Sequence, residues 1–346
     1  MALTRAARRE GVPTVPSRWL LRFDAVLRAA GLEGALGPEP EIAGAAAARD
    51  APGPHLPRKA ARPCPPVSAR PRQLPVTQIE MWLRDPYAIY ARHILRLRPL
   101  FDLDADPGRA DLGIAIHEAL GKFVRRHPQA LPADPAGELR EIGEEAFAAL
   151  LSRPGVWAFW WPRFERVARW FLAEEAVRRG DIALSVGEED GKFALAAPAG
   201  PFTITARADR IDRLTDGGLV IIDYKTGQPP QKREIESGVA LQLPLEGAIA
   251  RAGGFPSLAG APIALEYWRL GGGEPAGQRK PIDDDPAALI DRALADVTAL
   301  VTRFDNQSEP YPVVPVRQWR PRFSDYEHLE RLGALREDDL ENGAEP

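Results

Sequence analysis

Hydrophobic side chains recur with a helical period along the first half of the chain and alternate with polar ones in its middle. The helical spacing predicts helices at residues 17–31, from about residue 77 to 90, and at residues 113–126, 137–152 and 156–179. Alternation predicts strands at residues 182–186, 192–197, 202–209 and 219–225, followed by a helix, a strand and a helix at residues 239–251, 263–270 and 286–304. This order of elements predicts an α/β (α+β) domain.

Two segments of unusual composition divide the chain. Ten of the 35 prolines lie between residues 38 and 75, mixed with alanine, glycine and arginine, which predicts a linker at residues 33–74. The last 23 residues hold eight acidic side chains and two arginines, which predicts an acidic tail at residues 324–346. We therefore predict a short helical segment at residues 1–32 and a main domain at residues 75–323.

Some side chains predict how the helices begin, end and pack. Ser17 and Gly31 are expected to start and stop the first helix. Thr77 and Glu80 have the spacing of a capping box, which predicts that Thr77 caps the next helix. The aromatic stripe that begins at Trp157 is expected to pack in the core, in preference to stacking on bases.

Composition excludes several classes of protein. The chain has 346 residues, 45% hydrophobic and 27% charged, as expected for a globular protein. Its single cysteine, Cys64, cannot form an internal disulfide or a four-cysteine metal site. No apolar run is long enough to span a membrane and no signal sequence is recognisable, so we expect a cytoplasmic protein without a membrane partner. The net charge of −4 argues against a general nucleic-acid binder, and basic groups such as Arg317, Arg320 and Arg322 are more often solvated surface.

The most informative residues lie on two predicted strands that a turn at Asp216-Gly217-Gly218 joins. Because strand side chains alternate, Asp223 and Lys225 are expected on one face of the second strand. The turn would bring Asp209, at the end of the first strand, within reach of the same ion. Two carboxylates suit Mg²⁺, and a neighbouring lysine can offset charge on a phosphate. The alternative is an ordinary salt bridge between Asp223 and Lys225, with the other charges on the surface.

The wider pattern resembles the PD-(D/E)XK nuclease core in the form found in the RecB and AddB exonuclease families. Asp209 is followed fourteen residues later by Asp223-Tyr224-Lys225-Thr226-Gly227. Residues 113–120 are similar to the histidine motif of that group, residues 241–245 to its glutamine motif, and residues 77–90 to its opening helix. The resemblance implies a restriction-endonuclease-like core, with a central mixed sheet flanked by helices.

Family roles can be carried over position by position. The resemblance implies metal ligands at His117, Asp209, Asp223 and the carbonyl of Tyr224, and catalytic roles for Asp209, Asp223, Lys225 and Gln242, the last as a positioning residue. Taken alone, His117 could equally be an ordinary core or surface histidine, and Gln242 an exposed residue of a helix start. The other four histidines show no partner pattern.

Residues 11–20 are similar to the end of the helicase-like region of alphaproteobacterial-type AddB, so residues 1–32 are expected to be a remnant of that region. Two departures from the family accompany this resemblance. Asp85 stands where many AddB proteins have the first cysteine of an iron–sulfur cluster, and residues 307–335 contain no cysteine, so no cluster is expected. Glu246 stands after the glutamine motif, where an aromatic residue is common.

The resemblance implies a Mg²⁺-dependent DNA exonuclease, with Mn²⁺ as a possible substitute, which hydrolyses phosphodiester bonds during end resection in double-strand break repair. Its expected partners are single-stranded or unwound DNA ends and an AddA-type helicase-nuclease subunit. Two alternatives remain open on sequence grounds: an inactive scaffold that binds DNA ends, and a stand-alone RecB-like exonuclease.

Overall fold

The computed structural model of the chain describes residues 5–6, 8–9, 12–36, 40–51, 60–100, 103, 106–151, 153–313 and 324–330. The chain folds into two compact units, Met1–Pro57 and Arg58–Pro346. None of the helices within these described ranges is both long and apolar enough to cross a membrane.

The first unit is small. Its elements are β1 (Arg8–Arg9), β2 (Val12–Pro13), α1 (Arg18–Ala29) and α2 (Pro40–Asp50). The predicted start and stop of α1 are confirmed: the Ser17 hydroxyl accepts a hydrogen bond from the backbone N–H of Leu20, and Gly31 has a φ of 71°. Helix α2 lies inside the predicted linker, where the sequence shows no sustained helical period.

The second unit contains the remaining elements, which run in this order: β3 (Gln73–Pro75), α3 (Val76–Arg84), α4 (Pro86–Ile89), α5 (Arg109–Arg126), α6 (Pro135–Leu151), α7 (Trp161–Arg178), β4 (Ile182–Leu195), β5 (Phe202–Leu214), β6 (Leu219–Lys225), α8 (Lys232–Glu236), α9 (Gln242–Arg251), β7 (Pro262–Arg269), β8 (Gln278–Pro281), α10 (Pro286–Phe304) and α11 (Glu327–Glu330). Two predicted strands at residues 182–186 and 192–197 form the single long strand β4.

The six strands β3–β8 form one mixed sheet. β4 pairs antiparallel along one edge of β5. The opposite edge of β5 is shared: β3 pairs parallel with residues 203–205, and β6 pairs antiparallel with residues 210–213. β7 then continues the sheet parallel to β6, and β8 closes it antiparallel to β7. The predicted central mixed sheet is confirmed.

Helices cover both faces of the sheet and enclose two hydrophobic cores. One core lies between the sheet and helices α3, α9 and α10, and includes Trp82, Ile221 and Val297. The other lies between the sheet and helices α5, α6 and α7, and includes Phe123 and Phe171. Such a three-layer arrangement buries both faces of β6, which explains the apolar run at residues 219–222.

The last part of the predicted linker belongs to the second unit and packs within it. Arg70 is 4% exposed, and its guanidinium donates hydrogen bonds to the carbonyl oxygens of Phe304 (2.6 Å) and Asn306 (3.0 Å). The backbone N–H of Tyr311 donates to the carbonyl of Pro63 at 2.8 Å. Residues near Arg70, inside the predicted linker, are thus held against the segment that follows α10.

Two further local predictions differ from the structure. Thr77 is exposed inside α3 and does not cap it, because that helix begins one residue earlier, after Pro75. The aromatic stripe is mostly buried, as predicted, but Trp157 is 51% exposed. The acidic tail is described only for residues 324–330, and the basic group at Arg317, Arg320 and Arg322 lies outside the described residues.

Candidate active site

The site forms where strands β5 and β6 separate. The last paired residues are Arg210 on β5 and Ile222 on β6. Asp209 and Asp223 are the next residues of the two strands beyond this pair. Beyond that point the backbone N–H of Tyr224 donates to the Asp209 carboxylate, with 2.8 Å between N and Oδ2. A side chain thus replaces the lost ladder bond, which fixes the Asp209 carboxylate beside the end of β6.

Lys225, Asp223 and Gln242 form a closed triangle of polar contacts. The Lys225 ammonium lies 3.0 and 2.8 Å from the two carboxylate oxygens of Asp223. It also donates to the Gln242 amide oxygen at 2.9 Å, while the Gln242 amide nitrogen donates to Asp223 Oδ1 at 2.5 Å. Gln242 is the first residue of α9, so this helix orients both charged groups.

His117 joins the site from α5, on the other side of the sheet. Its Nδ1 lies 3.2 Å from Asp209 Oδ1, and its ring meets the ring of Tyr224 edge-on with 5.7 Å between centroids. The structure therefore brings together the five side chains that sequence reasoning selected: His117, Asp209, Asp223, Lys225 and Gln242. Tyr224 contributes its backbone N–H to the site.

Two further carboxyl groups, the buried Glu246 and the partly buried Glu80, complete the site and were missed as functional candidates. Glu246 is 1% exposed, and it accepts a hydrogen bond from the Gln242 amide at 3.2 Å. Glu80, on α3, accepts from the backbone N–H groups of Leu241 (2.7 Å) and Gln242 (2.8 Å). The spacing of four residues from Gln242 could have found Glu246, because such residues share a helix face. Nothing in the sequence links Glu80 to residues more than 160 positions away.

Burial and like charge govern the ionisation of this site. Burial, with repulsion from Asp209, raises the pKa of Asp223 to about 6, although the Lys225 ammonium opposes the shift. Burial and the carboxylates of Asp223 and Asp209 raise the pKa of Glu246 well above its ordinary value. Burial disfavours charge on Lys225, but Asp223 outweighs it and raises the lysine pKa. Likewise Asp209 raises the pKa of His117 against the effect of burial.

Comparison with known proteins decides the family. Residues 73–319 match the PD-(D/E)XK nuclease superfamily, a range that contains the whole site and most of the chain. The chain belongs to the PD-(D/E)XK nuclease superfamily. Members of this superfamily are typically nucleases that use divalent metals.

Curated relatives are less informative. An uncharacterized protein of Rickettsia bellii (strain RML369-C) is 30% identical over 185 residues, which are 54% of this chain and 22% of that protein. The uncharacterized protein RC0550 of Rickettsia conorii is 28% identical over 189 residues, 54% of this chain and 23% of that protein. The matched region thus spans less than a quarter of these relatives. The crystal structure of SSO0001 covers 77% of this chain and 88% of its own at 13% identity and a TM-score of 0.34.

The donor set of this PD-(D/E)XK site suits a divalent cation. Within the described ranges, no three His, Cys, Asp or Glu side chains are grouped as a metal site. The acidic groups do offer oxygen donors, and His117 adds an imidazole. Burial is the largest cause of the raised pKa values of Asp223 and Glu246, and repulsion from the Asp209 carboxylate adds to it at both groups. A divalent cation would relieve this repulsion, so the residues fit such an ion.

An open groove of about 640 Å³ gives access to the site. Gly113, His117, Asp209, Lys225, Arg125 and Arg207 line it. A Cβ at Gly113 would lie 3.0 Å from Thr226 Oγ1, so glycine permits the close approach of α5 to the end of β6. The groove thus places the Asp209 carboxylate and the His117 ring beside basic side chains along its wall.

Proposed function

We propose that this chain is a metal-dependent DNA nuclease domain that cuts single-stranded ends during double-strand break resection, as the AddB-type subunit of a helicase–nuclease. The observation that carries the proposal is the assembly of Asp209, Asp223 and Lys225 at the fork of β5 and β6, with His117 and Gln242 in direct contact. The resemblance of the sequence to AddB supports the finer assignment, including an AddA-type partner.

The arrangement suits phosphodiester hydrolysis. When bound, a divalent cation polarises the phosphodiester and lowers the pKa of water, and Asp209, Asp223 and His117 would hold it. Lys225 presents its ammonium at the wall of the groove, where it offsets negative charge that develops on a phosphate. Gln242 keeps that ammonium in place by accepting one of its hydrogen bonds. Asp209 fixes the orientation of the His117 ring through Nδ1.

The test is cleavage of end-labelled single-stranded DNA by the full chain, with Mg²⁺ or with EDTA. We expect cutting only with Mg²⁺, and a loss of about a hundred- to a thousandfold in kcat for Lys225→Ala, because one group that stabilises transition-state charge is removed. Asp223→Ala should abolish cutting.

Two control variants remove a lysine and an aspartate outside the candidate site. Lys192→Ala and Asp291→Ala change exposed residues of β4 and α10 and should cut like the unaltered chain. Circular dichroism establishes that each variant is folded. Persistent cutting by Asp223→Ala would refute the assigned site, and a wild-type chain that binds Mg²⁺ and DNA ends without cutting, alone or with an AddA-type partner, would favour the inactive scaffold.

A further inference from the structure

A second cavity lies beside the loop that follows Lys225. Its volume is about 460 Å³, within the range of small-ligand sites. We name it the proline-walled pocket, and its lining includes Pro229, Pro230, Lys232, Tyr267, Lys280 and Asp284. The loop after Lys225 joins the two cavities, since Thr226 and Gly227 line the groove and the next residues line the pocket.

The pocket is tied to the active site by strand register. Asp223 pairs with Tyr267 on β7, and Tyr267 pairs with Lys280 on β8. Laterally paired residues point to the same face of a sheet, and neighbouring strands lie about 4.8 Å apart. Asp223, Tyr267 and Lys280 therefore form one row across three strands, leading from the carboxylate site into the pocket.

Tyr267 places a buried hydroxyl group at this pocket. The residue is 2% exposed, and its hydroxyl has no hydrogen-bond partner among the residues that the structure describes. A buried hydroxyl left unpaired costs free energy, which a ligand that offers a hydrogen bond would recover. Since Tyr267 lines the pocket, that ligand would lie there.

The charges and the apolar wall select the ligand class. In the described ranges Lys280 has no carboxylate partner, and Lys232 has only Glu236 at 3.8 Å, so both ammonium groups are available to a phosphate. Pro229 and Pro230 offer a flat apolar surface to a sugar or base. Asp283 and Asp284 both line the pocket, and their carboxylates can accept hydrogen bonds from a base amino group or a sugar hydroxyl. Phosphate, sugar and base together describe a nucleotide.

We propose that the proline-walled pocket binds the nucleotide next to the scissile phosphate. The proposal rests on the proposed nuclease function for its place in the reaction. The binding itself is a property of the pocket and can be measured separately.

Thymidine 5′-monophosphate is the probe, and calorimetry on the full chain in EDTA measures its binding without cleavage. We expect at least tenfold weaker binding for Lys280→Ala, because a phosphate contact is lost, and severalfold weaker binding for Tyr267→Phe, which removes only the hydroxyl. Lys192→Ala is the matched control and should bind like the unaltered chain. Thymidine without phosphate should bind more weakly than the monophosphate.

The same samples are then assayed for cutting, so that the two proposals can fail separately. If Lys280→Ala weakens binding of the monophosphate but the unaltered chain never cuts DNA, the result would support the pocket and refute the nuclease. If the chain cuts DNA but does not bind the monophosphate, the result would support the nuclease and overturn the pocket. The same conclusion would follow if the chain cuts DNA and Lys280→Ala and Lys192→Ala bind the monophosphate equally well.

Discussion

At the scale of single residues, Glu246 shows how a departure from a family pattern can be part of the site. The sequence marked it only as an unusual neighbour of the glutamine motif. In the structure its carboxyl group is buried and hydrogen-bonded to Gln242, the same amide that contacts Asp223. Glu246 therefore adds a further carboxyl group near those of Asp209 and Asp223.

The raised pKa of Glu246 gives a prediction for stability. An acid whose pKa is higher in the folded chain destabilises the fold increasingly as pH rises from its unfolded value toward the folded one. Glu246→Gln keeps an oxygen that can accept from Gln242 and removes the ionisation. We expect a higher free energy of unfolding for Glu246→Gln at pH 8 in EDTA, with the gain vanishing near pH 4.

Urea unfolding at the two pH values measures the effect. Glu144→Gln is the control, because Glu144 is half exposed on α6. An equal change in both variants, or a gain for Glu246→Gln that is as large at pH 4 as at pH 8, would contradict the assigned ionisation.

At the scale of elements, sequence reasoning predicted most helices and strands of the second unit because each carries a local signal. Strand β6 and helix α10 were predicted with their observed bounds, and the turn at Gly217 follows from the left-handed backbone that glycine favours, since its φ is 92°. The capping box at Thr77 failed, because the Glu80 carboxylate turns away from its own helix toward the start of α9.

This contact joins α3 to α9 and can be tested directly. Glu80 satisfies two backbone N–H groups, at Leu241 and Gln242, and removing it leaves both without an acceptor in a partly buried place. We expect Glu80→Ala to lower the free energy of unfolding by about 1–3 kcal/mol and to slow cutting, because Gln242 loses its anchor. Glu80→Gln, which keeps one acceptor oxygen, should lose less.

Thr77→Ala provides the contrast on the same helix. If Thr77 capped α3, its removal would cost about 1 kcal/mol. Because Thr77 is exposed within the helix, we expect a change within about 0.5 kcal/mol in chemical denaturation. A larger loss in the free energy of unfolding for Thr77→Ala than for Glu80→Ala would indicate that Thr77 caps α3 after all.

At the scale of the whole molecule, a buried charge network links elements that the sequence could not connect. Arg210, which is fully buried, binds Glu175 on α7 at 2.5 and 3.2 Å and Asp212 on its own strand at 2.7 Å. Ser185 on β4 also donates to Asp212 at 2.7 Å. One of the two alternatives left open on sequence grounds placed the charges around Asp209 on the surface, because periodicity cannot show that distant groups will pair.

The network predicts a large cost for losing its centre. Arg210→Met leaves the carboxylates of Glu175 and Asp212 buried with less positive charge, and we expect the free energy of unfolding to fall by about 3–5 kcal/mol. Arg213→Met, one strand position from Asp212 and less buried, is the control and should change stability little. Similar losses in the free energy of unfolding for both variants, measured by urea unfolding, would show that Arg210 stabilises the fold no more than Arg213 does.

The positions of Glu80, His117 and Gln242 along the chain bear on how the enzyme is made. Gln242, which holds the Lys225 ammonium, is itself anchored by Glu80, 162 residues earlier in the chain, and contacts of such long sequence separation form slowly during folding. Until α9 has left the ribosome, Lys225 lacks its amide partner and α3 has no helix end to bind. Under the proposed function, a growing chain therefore carries the aspartates before Gln242 can complete the contacts of Lys225, and the candidate site is assembled only after α9 has emerged.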